Sequence, residues 1–188
     1  MAAAGLFCRP VTDPSGCLAE QLAAGCIVGL FQGGVEAGPR ALGNRSILAS
    51  PLVAGVTDRL NAAVKFREPF RPFAPVVLAD HARDWFELDQ PSPFMSIAVP
   101  VTARAHRQIP EVIHTNGLAR VQTVTAGQNP LLAATLERFT ALTGVPVLIN
   151  TSLNLKGQPI AGTATMALDC LRRSGLDALL LEGWWVTR

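Results

Sequence analysis

The sequence contains no tyrosine and only two lysines, Lys65 and Lys156. The first absence removes the phenol as an acid, base or nucleophile. The second makes each lysine stand out, because in an arginine-dominated chain it supplies a compact, movable point charge. The four cysteines, Cys8, Cys17, Cys26 and Cys170, form no CxxC pair and have no zinc-type spacing to a histidine. They read as reduced thiols of a cytoplasmic protein. His81, His106 and His114 are scattered, with no HxH or HxxxH spacing, so they read as surface residues and no metal ligands are expected. No apolar run approaches the roughly 20 residues of a membrane span. The N-terminus lacks the basic start and long apolar core of a signal peptide. A soluble protein with no membrane partner is expected. The net charge is only +2, without the basic excess of a duplex-DNA binder.

What is present is a core. Hydrophobic residues make up 49% of the 188 positions and charged residues 16%, a balance that fits one folded domain and excludes a disordered tail. Residues 1–16, with Pro10 and Pro14 and no periodicity, read as an arm or linker, and 17–188 as a single domain. Apolar runs predict strands at Cys26–Phe31, Val76–Ala79, Phe94–Val101, Leu118–Ala126, Val145–Asn150 and Leu176–Leu181. Periodic stretches predict helices at Leu18–Ala24, Val56–Val64, Asp80–Phe86 and Thr165–Arg173. The clearest helix is Pro130–Thr143, with Asn129 as its cap, Pro130 in its first turn and Gly144 beyond its end. Trp184 and Trp185 read as packing beside the last strand, or one of them as lining an interface. Strands interspersed with helices predict a mixed α/β sheet.

Three polar segments interrupt this apolar background. Gly38-Pro39-Arg40-Ala41-Leu42-Gly43-Asn44-Arg45-Ser46, within a predicted loop at 36–46, combines glycines that let backbone N–H groups approach an anion with arginines that fork onto phosphate. It reads either as a phosphate cradle or as a surface turn, and it is not a Walker A loop. Lys65-Phe66-Arg67-Glu68-Pro69-Phe70-Arg71-Pro72-Phe73 interleaves cations with aromatics. If extended, Lys65, Arg67 and Arg71 share one side while Phe66 and Phe70 anchor the other. Such a strip suits a polyanionic small molecule, single-stranded nucleic acid or a solvated edge. Asn150-Thr151-Ser152-Leu153-Asn154-Leu155-Lys156-Gly157 follows a buried strand, where α/β proteins place ligand contacts and where turns also use Asn and Ser locally. A fourth, weaker piece is Arg120-Val121-Gln122, whose two polar residues share a face if the stretch is one strand. An arginine in an apolar strand needs a carboxylate or a bound anion.

Taken in order, these segments resemble the C-terminal domain of the carbamoyltransferase family, which includes nodulation-factor and antibiotic O-carbamoyltransferases. The stretches that carry the resemblance are Gly38–Ala49, Val64–Pro75, Ala119–Val124 and Val145–Asn154. That domain is similar to YrdC, a twisted mixed sheet flanked by helices around a basic groove, with Lys-x-Arg and Ser-x-Asn signatures. Lys65-Phe66-Arg67 and Ser152-Leu153-Asn154 fit both. The resemblance implies binding of ATP, with Mg2+, and of carbamoyl phosphate, and formation of carbamoyl-adenylate. It assigns Lys65, Arg67, Arg120, Ser152 and Asn154 to the chemistry, and Arg40, Arg45, Asn150, Thr151 and Arg71 to nucleotide and phosphate binding. Asn116, Leu118, Gln158 and Leu153 depart from the family pattern. The family's sugar-kinase-like transfer domain is absent from this sequence, which implies a separate transfer partner. Two other functions stay open: activation of another small carboxylate or carbamate with ATP, and a nucleotide- or RNA-binding module without chemistry.

Overall fold

The computed structural model describes residues 5–68 and 70–188. Pro69 of the basic strip and the first four residues of the expected arm lie outside them. The strands are β1 (Phe7–Pro10), β2 (Val28–Phe31), β3 (Arg45–Ala49), β4 (Ala74–Leu78), β5 (Ala98–Pro100), β6 (Leu118–Arg120), β7 (Gln122–Val124), β8 (Val147–Ser152), β9 (Ala178–Leu181) and β10 (Trp184–Thr187). The helices are α1 (Pro14–Ala23), α2 (Val56–Arg59), α3 (Ala82–Trp85), α4 (Ala103–Gln108), α5 (Pro130–Thr143) and α6 (Ala164–Arg173); α2 continues as a π-helical turn over Leu60–Lys65. Eight strands form one mixed sheet in the order β1-β10-β9-β2-β3-β8-β4-β7, and β5 pairs with β6 apart from it.

Side chains alternate across the main sheet as strand geometry requires. Val28, Leu48, Val76, Leu148 and Leu180 meet Leu18 and Leu22 of α1 and Leu132, Leu136 and Phe139 of α5 in one core. Their neighbours Ile47, Val77, Val147, Ile149 and Leu179 join a second core with Leu60, Val64, Trp85 and Leu171. Both faces are covered, which is why the strands read as continuous apolar runs.

Strand direction decides where the loops go. β3 and β4 both run antiparallel to β8, which lies between them, and β7 runs parallel to β4. The chain entering β3, β4 and β7 therefore reaches the same end of the sheet as the chain leaving β8. Those four stretches are the polar segments of the sequence.

Several expectations are corrected. The stretch read as an arm supplies β1, paired with β10, and the first residues of α1, capped where Asp13 Oδ1 accepts from Gly16 N at 3.1 Å. The predicted 36–46 loop ends early, because Arg45 and Ser46 already pair with Phe31 and Leu30. Leu118–Ala126 is two short strands, β6 and β7, which pair with different partners. The expected strand from Phe94 shortens to β5, and Met95 takes a positive φ of 53°. Trp185 packs in the core while Trp184 is 42% exposed. No helix among the described residues is long and apolar enough to cross a membrane.

Helix α5 keeps its expected bounds. Asn129 Oδ1 accepts from Leu132 N at 3.0 Å and from Gln32 Nε2 at 3.1 Å, and its Nδ2 donates to Asn44 Oδ1 at 3.3 Å. One side chain thus ends the helix and ties it to the loop before β3. Gly43 permits this approach: its φ is 118°, and a Cβ there would sit 2.5 Å from Asn129 Nδ2. Asn129→Ala should cost about 1–2 kcal/mol of stability, read as a lower urea midpoint with an unchanged slope.

Candidate functional site

Lys65 closes the π-helical turn, and Phe66 follows in the left-handed region at φ 48°. The residue is 8% exposed. Its ammonium donates to Ser152 O, to Ser152 Oγ at 3.3 Å and to Asn154 Oδ1 at 2.7 Å. Ser152 Oγ also donates to Asn154 Oδ1 at 2.7 Å, and Asn154 Nδ2 to Gln158 O at 2.8 Å. Lysine, serine and asparagine from distant parts of the sequence thus form one connected set. Burial pushes the Lys65 pKa down to about 7, opposed by Cys170 and reinforced by Arg67.

Arg67 lies beside this set. Its Nε donates to Asn61 Oδ1 at 2.7 Å, its Nη2 to Pro72 O at 3.4 Å, and its guanidinium stacks 4.5 Å from the Phe73 ring centre. Asn61 is buried and also donates to Arg71 O at 3.2 Å, closing the loop over which the basic strip runs. The strip is therefore a closed loop rather than an extended strand. Phe66 and Phe70 do not anchor it, being 44% and 73% exposed, and buried Phe73 does.

Two adjoining hollows share Arg67, Thr151 and Ser152. One of about 230 Å3 also has Lys65, Arg71, Asn154 and Lys156 on its wall. The other, of about 120 Å3, has Arg40, Met95, Arg120 and Asn150. The structure thus brings nine of the ten expected site residues to one basin. Burial followed by repulsion from Arg71 depresses the Arg67 pKa, with Glu68 opposing; burial and then Arg40 depress that of Arg120. Burial and then Arg120 lower that of His114, which is half-buried rather than on the surface. Among the described residues, the ion pairs involve none of Arg40, Arg67, Arg71 or Arg120. Glu68 also stands on the wall of the larger hollow, so the cations outnumber the carboxylate there, and crowding of this kind suits an anion.

Arg45 is the exception. It is 4% exposed, and its guanidinium donates to the carbonyls of Ala161, Gln32, Asn44 and Gly33 at 2.7–3.0 Å while stacking 3.5 Å from the Phe31 ring centre. Its donors are consumed inside the protein, and it borders neither hollow. The backbone of the same loop is occupied as well: Leu42 N, Asn44 N and Arg45 N all donate to Glu36 Oε1, at 2.7, 2.8 and 3.1 Å. The anion cradled by these amides is the chain's own carboxylate, and Arg40 alone of the loop's two arginines faces the basin. Arg120 and Gln122 do not share a strand face. Gln122 is buried and reaches Asn150 instead, its Oε1 accepting from Asn150 Nδ2 at 2.7 Å.

Sequence reasoning missed Asn61, Met95 and the structural use of Glu36. The signal for Asn61 was an amide among the apolar residues Leu60, Ala62, Ala63 and Val64. Of the departing positions, Leu153 is fully buried, Asn116 Oδ1 accepts from Leu118 N at 3.2 Å within its own turn, and Gln158 meets Asn154 through its backbone.

Comparison with known proteins bears on this basin. Residues 19–188 match the family described as carbamoyltransferase C-terminus. The chain belongs to that family. It is 42% identical over 173 residues to nodulation protein NolNO of Sinorhizobium fredii, covering 90% of this chain and 25% of that protein. It is 40% identical over 179 residues to nodulation protein NolO of Bradyrhizobium diazoefficiens, covering 94% of this chain and 33% of that protein. An uncharacterised protein of Synechocystis is 42% identical over 192 residues, covering 92% of this chain and 31% of that one. The chain thus spans a quarter to a third of these relatives' length. Among solved structures it superposes on HypF in a phosphate- and nucleotide-bound form (TM-score 0.60, 16% identity, 94% of this chain and 22% of that one). It also superposes on Escherichia coli YciO (TM-score 0.60, 12% identity, 93% and 81%). The fold of this carbamoyltransferase C-terminal domain is the YrdC-like twisted mixed sheet.

Two outcomes follow from this geometry. Arg45→Lys should cost about 2–3 kcal/mol of stability by stranding buried carbonyls, while phosphate affinity of the folded fraction stays as it was; denaturant melts and phosphate titration separate the two. For Lys65, the native pKa near 7 lies below the unfolded value of 10.5. The unfolded chain then binds the extra proton between those values, so this residue's penalty on the fold is full below about pH 7 and fades as pH rises. An anion reverses the bias toward the charged form. Binding of sulfate, which does not itself titrate near neutrality, should take up a fraction of a proton at pH 8, and affinity should fall as pH rises above 7. Calorimetry in buffers of different ionisation enthalpy reads both, and zero uptake would contradict the assignment.

Proposed function

We propose that this domain activates carbamoyl phosphate with ATP, forming carbamoyl-adenylate within an O-carbamoyltransferase system whose transfer step belongs to a separate sugar-kinase-like domain or subunit. The observation that carries the reading is the buried Lys65–Ser152–Asn154 set joined through Arg67 to the unpaired arginines of the adjoining hollow. Two polyanions repel each other, and a fixed cluster of cations is what holds them side by side.

Releasing both phosphate and pyrophosphate consumes one water. Water cleaves carbamoyl phosphate to carbamate and phosphate. A carbamate oxygen then attacks the α-phosphorus of ATP, and pyrophosphate departs with the electron pair. Lys65 and Arg67 are seated to take up the charge that grows on the leaving groups. Arg71, Lys156 and Arg40 line the approaches and would bind nucleotide phosphates, while Thr151, Ser152 and Asn154 offer hydroxyl and amide contacts. No covalent nucleophile is required. A magnesium ion would enter as a companion of the nucleotide's phosphates, since the basin's wall is cationic. It would neutralise part of their charge when bound. The phosphate- and nucleotide-bound form recorded for HypF supports the reading.

Incubation with ATP, carbamoyl phosphate and Mg2+ should release pyrophosphate only when both substrates are present. Lys65→Gln should lower that rate about a hundredfold or more. No pyrophosphate, with or without a sugar-kinase-like partner, would overturn the proposal. Release with other small carboxylates in place of carbamoyl phosphate would redirect it to a different substrate.

A further inference from the structure

The π-helical turn Leu60–Lys65 carries Asn61 as well as Lys65, and the protein fixes it at several points. At the head of α2, Glu111 Oε1 accepts from Gly55 N at 2.8 Å, and its Oε2 accepts from Thr57 N at 3.1 Å and Thr57 Oγ1 at 2.5 Å. Within the turn, Ala63 O accepts from Gly175 N at 2.7 Å. A Cβ on Gly175 would stand 2.6 Å from that of Ala63, so the two chains touch there. Beyond the turn, left-handed Phe66 folds the chain back, and Arg67 N donates to Asn61 O at 3.0 Å.

Asn61 is 1% exposed and meets Arg67 a second time through its side chain. Its Oδ1 accepts from Arg67 Nε at 2.7 Å, while its Nδ2 donates to Arg71 O at 3.2 Å. An Nε–H only donates and a carbonyl only accepts, so the amide has one workable orientation. The Phe73 ring, 4.5 Å away, sets the plane of the guanidinium. The bond at Nε sets its rotation within that plane. Among the described residues, Nη1 makes no hydrogen bond and Nη2 makes one long one, to Pro72 O at 3.4 Å. The donors left over belong to a residue that borders both hollows.

Repulsion makes such an anchor necessary. Lys65, Arg71 and Arg120 repel Arg67, and exposed Glu68 attracts it. An untethered guanidinium would swing toward Glu68 and solvent, yet among the described residues Arg67 forms no ion pair. An aspartate at position 61 would hold Nε too, but it would cancel the positive charge and set an oxygen against Arg71 O. Building on the reading of Arg67 as an anion-binding residue, we infer that Asn61 is a positioning residue: it fixes the Arg67 guanidinium, with its charge intact, before any anion arrives. The gain is pre-organisation, since binding then need not order a long side chain.

Two measurements test this. The first is relaxation of the Arg67 Nε–H in the free, unaltered protein, assigned through its backbone. Its order parameter should lie nearer that of the α5 backbone amides than those of exposed Arg107 and Arg173. A value nearer the exposed arginines would overturn the inference, whether or not any variant folds. The second is a double-mutant cycle on pyrophosphate affinity at one pH. Asn61→Ala should weaken binding about three- to tenfold. In an Arg67→Lys background, which keeps a cation but lacks Nε, the same change should have no further effect. Equal weakening in both backgrounds would mean that Asn61 acts on the fold at large and would overturn the positioning role alone. Failure of the unaltered protein to bind pyrophosphate would instead undo the anion reading on which it rests.

Discussion

The antiparallel seating of β8 between β3 and β4 is the constraint on which this site depends. Because the neighbours run against it, the chain leaving β8 at Asn150–Ser152 meets the chains entering β3 and β4, and β7, parallel to β4, brings Arg120 to the same place. Reversing any one of these strands would send its polar segment to the opposite end of the sheet. The register is held by two cores, one on each face, since a slip of one residue would turn every apolar side chain outward.

Charge in this end of the molecule is divided between internal and external use. Arg45 and Glu36 spend their hydrogen bonds on the backbone of the loop before β3, giving that loop one shape. With the loop fixed from within, Arg40 stands exposed at the hollow. Asn61 does the same for the loop before β4, holding Arg67 by its Nε and the chain at Arg71 by its carbonyl. Lys65 and Arg67 are held by amides, carbonyls, a hydroxyl and an aromatic face rather than by carboxylates. Their mutual repulsion persists in the free protein, and an anion bound between them would relieve it. A buried lysine whose pKa falls to about 7 belongs to the same economy of charge.

Membership of the carbamoyltransferase C-terminal family and the YrdC-like fold agree with this layout. The family resemblance is carried by the segments that strand direction gathers, and those segments lie far apart along the chain. The sheet order explains why the order of the motifs matters: each precedes or follows a particular strand.

Much of this was legible in the sequence. The continuous apolar runs marked strands buried in the interior, and Asn129, Pro130 and Gly144 set the bounds of α5 because capping is local chemistry. The scarcity of lysine and the grouping of Arg40, Lys65, Arg67, Ser152 and Asn154 into polar segments pointed to the residues of the basin. Only the tertiary structure decided which arginines face it. Arg40 and Arg45 are five residues apart and chemically identical, yet one is exposed and the other is enclosed by carbonyls from Gln32 to Ala161. Local sequence carries no record of such partners, nor of the split of Leu118–Ala126 between two sheets. Those depend on contacts between residues far apart in the chain, which exist only once the strands have paired.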